Sequence, residues 1–142
     1  MKACDRKKTL HEIEDITPED IQRYYDPPAT SLITAHQRLL EKPLEDFSTE
    51  DLRLMIGQES FLRCLVPLAL ERLAENPMIQ GDYHPGDLLE NLLRLPRGFW
   101  TDFPDLYYDF LGEVSGLAPV LRRLLQSIDE FERRAGEVAL DH

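Results

Sequence analysis

The chain has 142 residues, of which 42% are hydrophobic and 30% charged, a balance that excludes the class of poorly hydrophobic, disordered chains. At this length one core suffices, so residues 1–142 are predicted to form a single domain, with about residues 1–8 mobile. The 16 basic and 27 acidic residues give a net charge of −11, which repels nucleic acid and anionic lipid and attracts basic proteins. We therefore expect a protein partner, no nucleic acid and no membrane.

The N-terminal segment and the two cysteines predict a cytoplasmic protein. The start reaches acidic residues before any apolar run, unlike a signal or transit peptide, and no stretch approaches the roughly 20 apolar residues of a membrane span. Cys4 lies in the terminal segment, and Cys64 lies in an apolar helical pattern. Two cysteines placed in this way do not indicate a disulfide framework. We expect two reduced thiols.

Apolar residues recur at spacings of three and four along the chain and strand signals are nearly absent, so the predicted fold class is all-α. Helix starts are predicted where a hydroxyl side chain can cap and acids follow in the first turn. The elements predicted for the first half are a turn around Leu10, Ile13 and Ile16, a helix from Thr17–Asp20 to before Asp26, a helix from Thr30 or Ser31 toward Pro43, and a helix capped at Ser48 that ends at Gly57.

The second half is predicted to begin with a central helix. From Ser60 to Asn76 the pattern is apolar nearly all round, and Pro67 should kink or divide the helix. The later predicted elements are a helix with Leu88 and Leu92 that ends before Pro96, a helix from Thr101 or Asp102 to Gly112 or beyond, and a helix from Gly116 to Ala135 that buries Leu117, Val120, Leu121, Leu124, Leu125, Ile128 and Phe131. Together they predict a single compact bundle of about six or seven short helices.

The usual enzyme fingerprints are missing: the chain has no Gly-rich phosphate loop, no paired CxxC and no His-Glu-x-x-His. Asp82, His84 and Asp87 are the best metal candidate, which leaves a metal-dependent hydrolase as one hypothesis, but a turn followed by a helix start explains them better. His36 on an apolar helix face is typical of a hydrogen-bonded core residue, and the sequence alone cannot pair it with Ser60. We predict no enzyme activity, no metal and no cofactor.

An acidic stripe stands out between Arg97 and Arg122, where no basic residue occurs. At 100° per residue its four acids fall within about 80° of one another on one helix face, and their mutual repulsion is not relieved by any lysine or arginine at that spacing. The four acids of the acidic stripe are Asp102, Asp105, Asp109 and Glu113.

The adjoining face of the same predicted helix should be core, with Phe103, Leu106, Tyr107, Phe110 and Val114. Aromatic side chains beside the stripe could add cation-π contacts to the lysines and arginines of a basic partner. The candidate binding residues are therefore the acidic stripe with Trp100, Tyr108 and Asp82. The alternative is a solvated face that keeps the protein soluble.

Several short motifs occur in a fixed order from about residue 30 to residue 104, which is about half of the chain. Each motif alone is weak, but the order KPL, F, EDLR, MIGQ, PLALE, GD and GDLL is fairly specific. The runs are His36–Leu44, Phe47, Glu50–Gln58, Leu65–Glu71, Gly81–Tyr83, Gly86–Leu89 and Phe99–Trp100. In these runs the chain resembles the immunity proteins of bacterial contact-dependent growth inhibition (CDI) systems.

The resemblance implies a cytoplasmic protein that binds and neutralises the C-terminal toxin domain delivered by a neighbouring cell. Such toxins are often nucleases with a basic substrate site, which an acidic inhibitor could cover. The motif residues themselves fit structural roles in caps, helix ends and loops, and the resemblance assigns no toxin contacts to them. The competing hypothesis is an acidic helical adaptor or regulatory protein-binding module, for which the same acidity is acceptable.

Overall fold

The computed structural model describes residues 3–16 and 31–140, and the described residues form α-helices and no strand, which confirms the all-α class. The chain divides into two compact units, Met1–Phe103 and Pro104–His142, and the single domain stays a prediction. The helices of unit 1 are α1 (Leu10–Ile13), α2 (Ser31–Leu40), a 3-10 turn (Leu44–Asp46), α3 (Thr49–Gly57), α4 (Leu62–Glu75), α5 (Asp87–Leu93) and α6 (Arg97–Asp102), and unit 2 contains α7 (Pro104–Leu140).

The start of α3 shows how local sequence sets a helix boundary. The Ser48 hydroxyl accepts the backbone N–H of Asp51 at 3.0 Å, and the Asp51 carboxylate accepts the N–H of Ser48 at 2.9 Å. This reciprocal capping satisfies two amide groups that the helix itself leaves unpaired. The helix ends at Gly57, so both predicted boundaries are confirmed.

The core of unit 1 lies where α3 packs against α4 and α5. Side chains from these helices and from the preceding segment are fully buried there, including Phe47, Leu52, Ile56, Leu65, Leu88 and Leu92. Pro67 lies inside α4 without dividing it. A proline removes one backbone hydrogen bond, but the surrounding packing of the buried face keeps the helix continuous.

Residues 3–8 of the N-terminal segment form several bonds with the rest of unit 1, and the mobility predicted for about residues 1–8 stays a prediction. The backbone N–H of Leu44 donates to the carbonyl of Lys8 at 3.1 Å, and Arg6 forms an ion pair with Glu71 on α4. These contacts bring Cys4 within 5.6 Å of Cys64, measured between Cα atoms, and the two form a disulfide. The prediction of two reduced thiols is therefore wrong for this structure, because pairing depends on proximity in space rather than on spacing in sequence.

Helix α7 differs most from the prediction. It runs without interruption from Pro104 to Leu140, where two helices separated near Gly112 to Gly116 were expected, and it contains Pro119. Its predicted buried face is instead exposed in this chain: the exposed fraction is 50% for Val120, 60% for Leu125 and 63% for Phe131. The apolar period identified the face correctly but could not show whether anything covers it.

The helix predicted from Thr17–Asp20 to before Asp26 lies outside the described residues. Within the described part of the chain, no helix combines the length and apolar character that a membrane span requires.

Candidate functional site

Three of the four acids in the predicted acidic stripe share one face of α7. Asp105, Asp109 and Glu113 follow one another at intervals of four residues, and Asp105 lies in the first helical turn, where the helix dipole favours a negative charge. Asp105 and Asp109 are exposed, and Glu113 is half-buried. These three acids form the α7 part of the acidic stripe, and no basic residue precedes Arg122 on this helix.

Tyr108 borders these acids, whereas its neighbour Tyr107 lies on nearly the opposite side of the helix, about 160° from Asp109 at 100° per residue. Tyr108 is 66% exposed and Tyr107 is 39% exposed, and their ring centroids lie 5.3 Å apart in an edge-to-face arrangement. Leu106 and Phe110 are buried, as predicted, but Tyr107 was predicted to be core and is not. The surface of α7 thus presents carboxylates beside one exposed tyrosine, Tyr108, which is the chemistry that receives arginine and lysine side chains.

Glu113 differs electrostatically from the exposed acids of the stripe. Partial burial raises the pKa of its carboxyl above the usual range, and the nearby negative charge of Asp109 raises it further. Both effects disfavour the charged form, so the folded chain holds Glu113 as a carboxylate at a cost in stability at neutral pH.

Asp102 does not belong to the helix that carries the other three acids, which corrects the predicted continuous stripe. It ends α6, and Phe103 leaves the helical conformation with a φ of −129° and a ψ of 67° before α7 begins. The cause is Pro104, because a proline disfavours the helical conformation at the residue before it. Trp100 lies on the same short helix, half-buried, with its ring centroid 5.0 Å from that of Phe99.

Asp82 lies in a loop that is ordered around the carboxylate of Asp87. The Asp87 carboxylate accepts the backbone N–H groups of Gly81 at 2.7 Å, Tyr83 at 3.1 Å and His84 at 3.4 Å. Burial raises the pKa of Asp87, but these bonds outweigh it and hold the pKa below the usual range. The predicted turn and helix start are confirmed, since α5 begins at Asp87 after Gly86, whose φ of 82° suits glycine.

The same geometry gives Asp82, His84 and Asp87, the three candidate metal ligands, other surroundings than a metal site. The Asp87 carboxylate accepts hydrogen bonds from backbone amides. The imidazole of His84 lies 3.1 Å from the carboxylate of Glu90. The Asp82 side chain is exposed. The described residues contain no group of three or more His, Cys, Asp or Glu side chains placed to hold a metal ion.

The same loop is joined to α3 through Glu50 and Arg53. Glu50 accepts the backbone N–H of Asp82 at 2.6 Å and the Arg53 Nε–H at 2.7 Å, and the Arg53 guanidinium lies 4.3 Å from the ring centroid of Tyr83. A Cβ added at Gly81 would approach the Glu50 carboxylate to 2.5 Å, so only glycine fits there without a shift. The EDLR and GD motifs therefore hold a loop in place, and Tyr83 remains 71% exposed on it.

The structure also brings together His36 and Ser60, a pairing that the sequence could not show. Their side chains lie 2.9 Å apart between His36 Nε2 and Ser60 Oγ, and burial lowers the pKa of His36. The Ser60 hydroxyl also reaches the carbonyl of Gln58 at 3.4 Å. His36 is 6% exposed, which fits the predicted hydrogen-bonded core residue.

The family model for CDI immunity proteins matches residues 15–109, more than half of the chain. Searches of curated proteins and of solved structures found no match. The matched range contains the capped helix α3, the loop ordered around Asp87 and the first turns of α7, and it ends at Asp109.

Proposed function

Because the chain belongs to the CDI immunity protein family, we propose that it binds the cognate C-terminal toxin domain of a CDI system and neutralises it in the cytoplasm. The family match carries the proposal. In this role the protein is a stoichiometric inhibitor that needs no cofactor and no catalytic residue of its own.

The net charge of the molecule supports the proposal that the toxin is basic, and specifically that it is a nuclease. A net charge of −11 attracts a positively charged surface from a distance, and a nuclease needs such a surface to hold its phosphate substrate. Exposed carboxylates that occupy this surface would replace the phosphates and exclude the substrate. The adaptor hypothesis explains the acidity equally well but not the family match.

The proposed toxin contacts on α7 are Asp105, Tyr108, Asp109 and Glu113. The two aspartates and Tyr108 are exposed, and the regular spacing of the three acids offers an arginine or lysine side chain more than one carboxylate. In unit 1 the proposed contacts are Asp82, Trp100 and Asp102. Asp82 is exposed on a loop whose backbone is fixed by Asp87, so its position costs little ordering on binding.

Co-expression with the toxin domain encoded beside the gene tests the proposal. Induction of the toxin domain alone should stop growth, and co-expression of this chain should restore growth and give a complex that co-purifies. An immunity protein of the same family from a different toxin pair is the matched control and should not rescue. Growth arrest that persists without any complex would overturn the proposed function.

A further inference from the structure

Tyr83 is an exposed aromatic residue on the loop that joins the Asp87 carboxylate to α3. It is 71% exposed, the largest exposed fraction among the large hydrophobic residues that the structure describes. A single exposed tyrosine is common on protein surfaces. Tyr83 is unusual because both its backbone and its ring are held by other side chains.

The backbone at Tyr83 is fixed by two carboxylates from different helices. Asp87 at the start of α5 accepts the N–H of Tyr83 at 3.1 Å, and Glu50 on α3 accepts the N–H of Asp82 at 2.6 Å. A hydrogen bond to a charged acceptor is about twice as strong as one between neutral groups. The loop therefore presents Tyr83 in one backbone conformation without the help of a partner.

The ring of Tyr83 is restrained by Arg53. The Cζ atom of the Arg53 guanidinium lies over the ring, 4.3 Å from its centroid. Arg53 is itself anchored, because its Nε–H donates to Glu50 at 2.7 Å and lies 4.0 Å from the Asp87 carboxylate. This cation-π contact restricts the orientation of the ring. Since Arg53 lies over one face, the exposed area of the ring is on the opposite face and along its edge.

The charged groups that hold Tyr83 make this part of the surface acidic. They are one positive and three negative side chains, which leaves a net charge of −2: Arg53, Glu50, Asp82 and Asp87. The nearby ion pair between Glu90 and Arg94 adds no net charge. The two carboxylates beside Arg53 offset its charge, so the open face of the ring can receive a second cation. The surface thus fits an arginine side chain that stacks on the ring and pairs with the exposed Asp82.

We propose that Tyr83 is an anchor of the toxin interface, with its open face against an arginine of the toxin, and that Arg53 is a positioning residue that orients the ring. This inference rests on the proposed function, since the partner is the cognate toxin domain. Interfaces draw most of their affinity from a few residues, among which tyrosine is enriched, and a side chain that is already ordered loses little entropy on binding. The EDLR and GD motifs then serve binding as well as folding.

Isothermal titration calorimetry with the toxin domain encoded beside the gene tests the anchor. Tyr83→Ala in the full chain should raise the dissociation constant by about thirtyfold or more, as expected of an anchor residue, whereas Tyr83→Phe keeps the ring and should raise it by less than about threefold. Leu93→Ala removes another exposed apolar side chain of unit 1, at 55% exposure, and should leave the dissociation constant unchanged. Circular dichroism should show all three variants folded, because both side chains are exposed.

A double-mutant cycle tests the positioning role of Arg53. Arg53→Lys keeps the positive charge beside Glu50 but removes the flat guanidinium that lies over the ring. It should weaken toxin binding about fivefold in the wild type and should have no further effect in Tyr83→Ala. Equal weakening in both backgrounds would show a merely structural role and would overturn the positioning role.

The wild type separates a failure of the anchor from a failure of the proposed function. A wild type that binds the toxin as tightly as Tyr83→Ala does would overturn the anchor and leave the proposed function intact. A wild type that neither binds the toxin nor restores growth would overturn both. If Tyr83→Ala instead changes the oligomeric state in sedimentation and keeps its toxin affinity, a second copy of the chain covers Tyr83 and the proposal is wrong.

Discussion

Asp87 shows how one buried carboxylate can hold a loop. Replacing it by asparagine keeps the size but turns one acceptor oxygen into a donor that faces the backbone amides of Gly81, Tyr83 or His84. Hydrogen bonds to a charged group contribute about 1.5–3 kcal/mol, so we expect Asp87→Asn to lower the free energy of unfolding by about 2 kcal/mol in urea at pH 7. Asp82→Asn, an exposed position in the same loop, is the control and should change nothing.

The effect of Asp87→Asn should also depend on pH. Because the pKa of Asp87 is lower in the folded chain than in the unfolded chain, the unfolded chain takes up the proton first as the pH falls. The stabilisation by Asp87 is complete above the unfolded pKa of about 3.9 and is lost as the pH falls through the folded pKa. The difference between wild type and variant should therefore be constant between about pH 7 and pH 5 and shrink below about pH 4. A difference that persists in acid would mean that the amide, rather than the lost charge, destabilises the loop.

Glu113 should behave in the opposite way. Its folded pKa is raised by partial burial and by Asp109, so the folded chain binds the proton more tightly than the unfolded chain, and stability falls as the pH rises through this range. Glu113→Gln should raise the melting temperature slightly at pH 7 and leave it unchanged below the unfolded pKa of about 4.3. Asp105→Asn, an exposed acid of the same face, is the control. A lower melting temperature in Glu113→Gln at pH 7 would show that the carboxylate is stabilised by a contact that offsets its burial.

At the scale of the elements, the disulfide between Cys4 and Cys64 joins the N-terminal segment to α4 across a separation of 60 residues. A closure of this length stabilises a fold by about 2–4 kcal/mol, chiefly by restricting the unfolded chain. We expect Cys4→Ser to lower the free energy of unfolding of the oxidised protein by this amount, measured by urea denaturation. Reductant should lower the free energy of unfolding of the wild type to that of Cys4→Ser and leave the free energy of unfolding of the variant unchanged.

The disulfide also bears on the proposed location, because cytoplasmic thiols are kept reduced. If the protein acts in the cytoplasm, Cys4→Ser should protect cells from the toxin as well as the wild type does. The core formed by α3, α4 and α5 does not include the N-terminal segment, so the reduced protein should stay helical. Loss of the helical signal on reduction would contradict this expectation.

Local chemistry explains which elements the sequence could predict. The cap at Ser48, the end at Gly57 and the start of α5 at Asp87 follow from side chains that bond to nearby backbone groups. The boundary expected between Gly112 and Gly116 was wrong, because a glycine weakens a helix without necessarily ending it. The break at Phe103 was missed although Pro104 follows it directly.

For the candidate site, too, the sequence predicted what depends on residue spacing within one helix. The spacing of Asp105, Asp109 and Glu113 places them on one face wherever the helix begins, so three of the four acids stay together. The break that leaves Asp102 outside α7 follows from the adjacent Pro104, a local signal that the sequence reading overlooked. The pairing of His36 with Ser60 and the disulfide depend instead on contacts distant in sequence, which periodicity does not encode. The exposure of the apolar side chains from Val120 to Phe131 on α7 could not be predicted either, since an apolar period describes a face and not its partner.

At the scale of the whole molecule, the net charge of −11 should govern how fast a basic toxin is captured. Opposite charges steer two proteins together before they touch, and salt screens this attraction over about 8 Å at physiological ionic strength. The association rate should therefore fall with added salt while the dissociation rate changes little.

Reversal of two charges on α7 locates this attraction. Asp105→Lys with Asp109→Lys should weaken toxin binding about tenfold or more at low salt, mainly through slower association, because both carboxylates are exposed and close together. Glu132→Lys with Glu137→Lys changes the net charge by the same amount at exposed positions far along the same helix from these acids, so it separates a local effect from a general one. The measurement is surface plasmon resonance at two salt concentrations, with circular dichroism as the test of folding. Equal slowing by the two double variants would mean that only the overall charge matters, and unchanged binding by the first would place the toxin interface away from this face of α7.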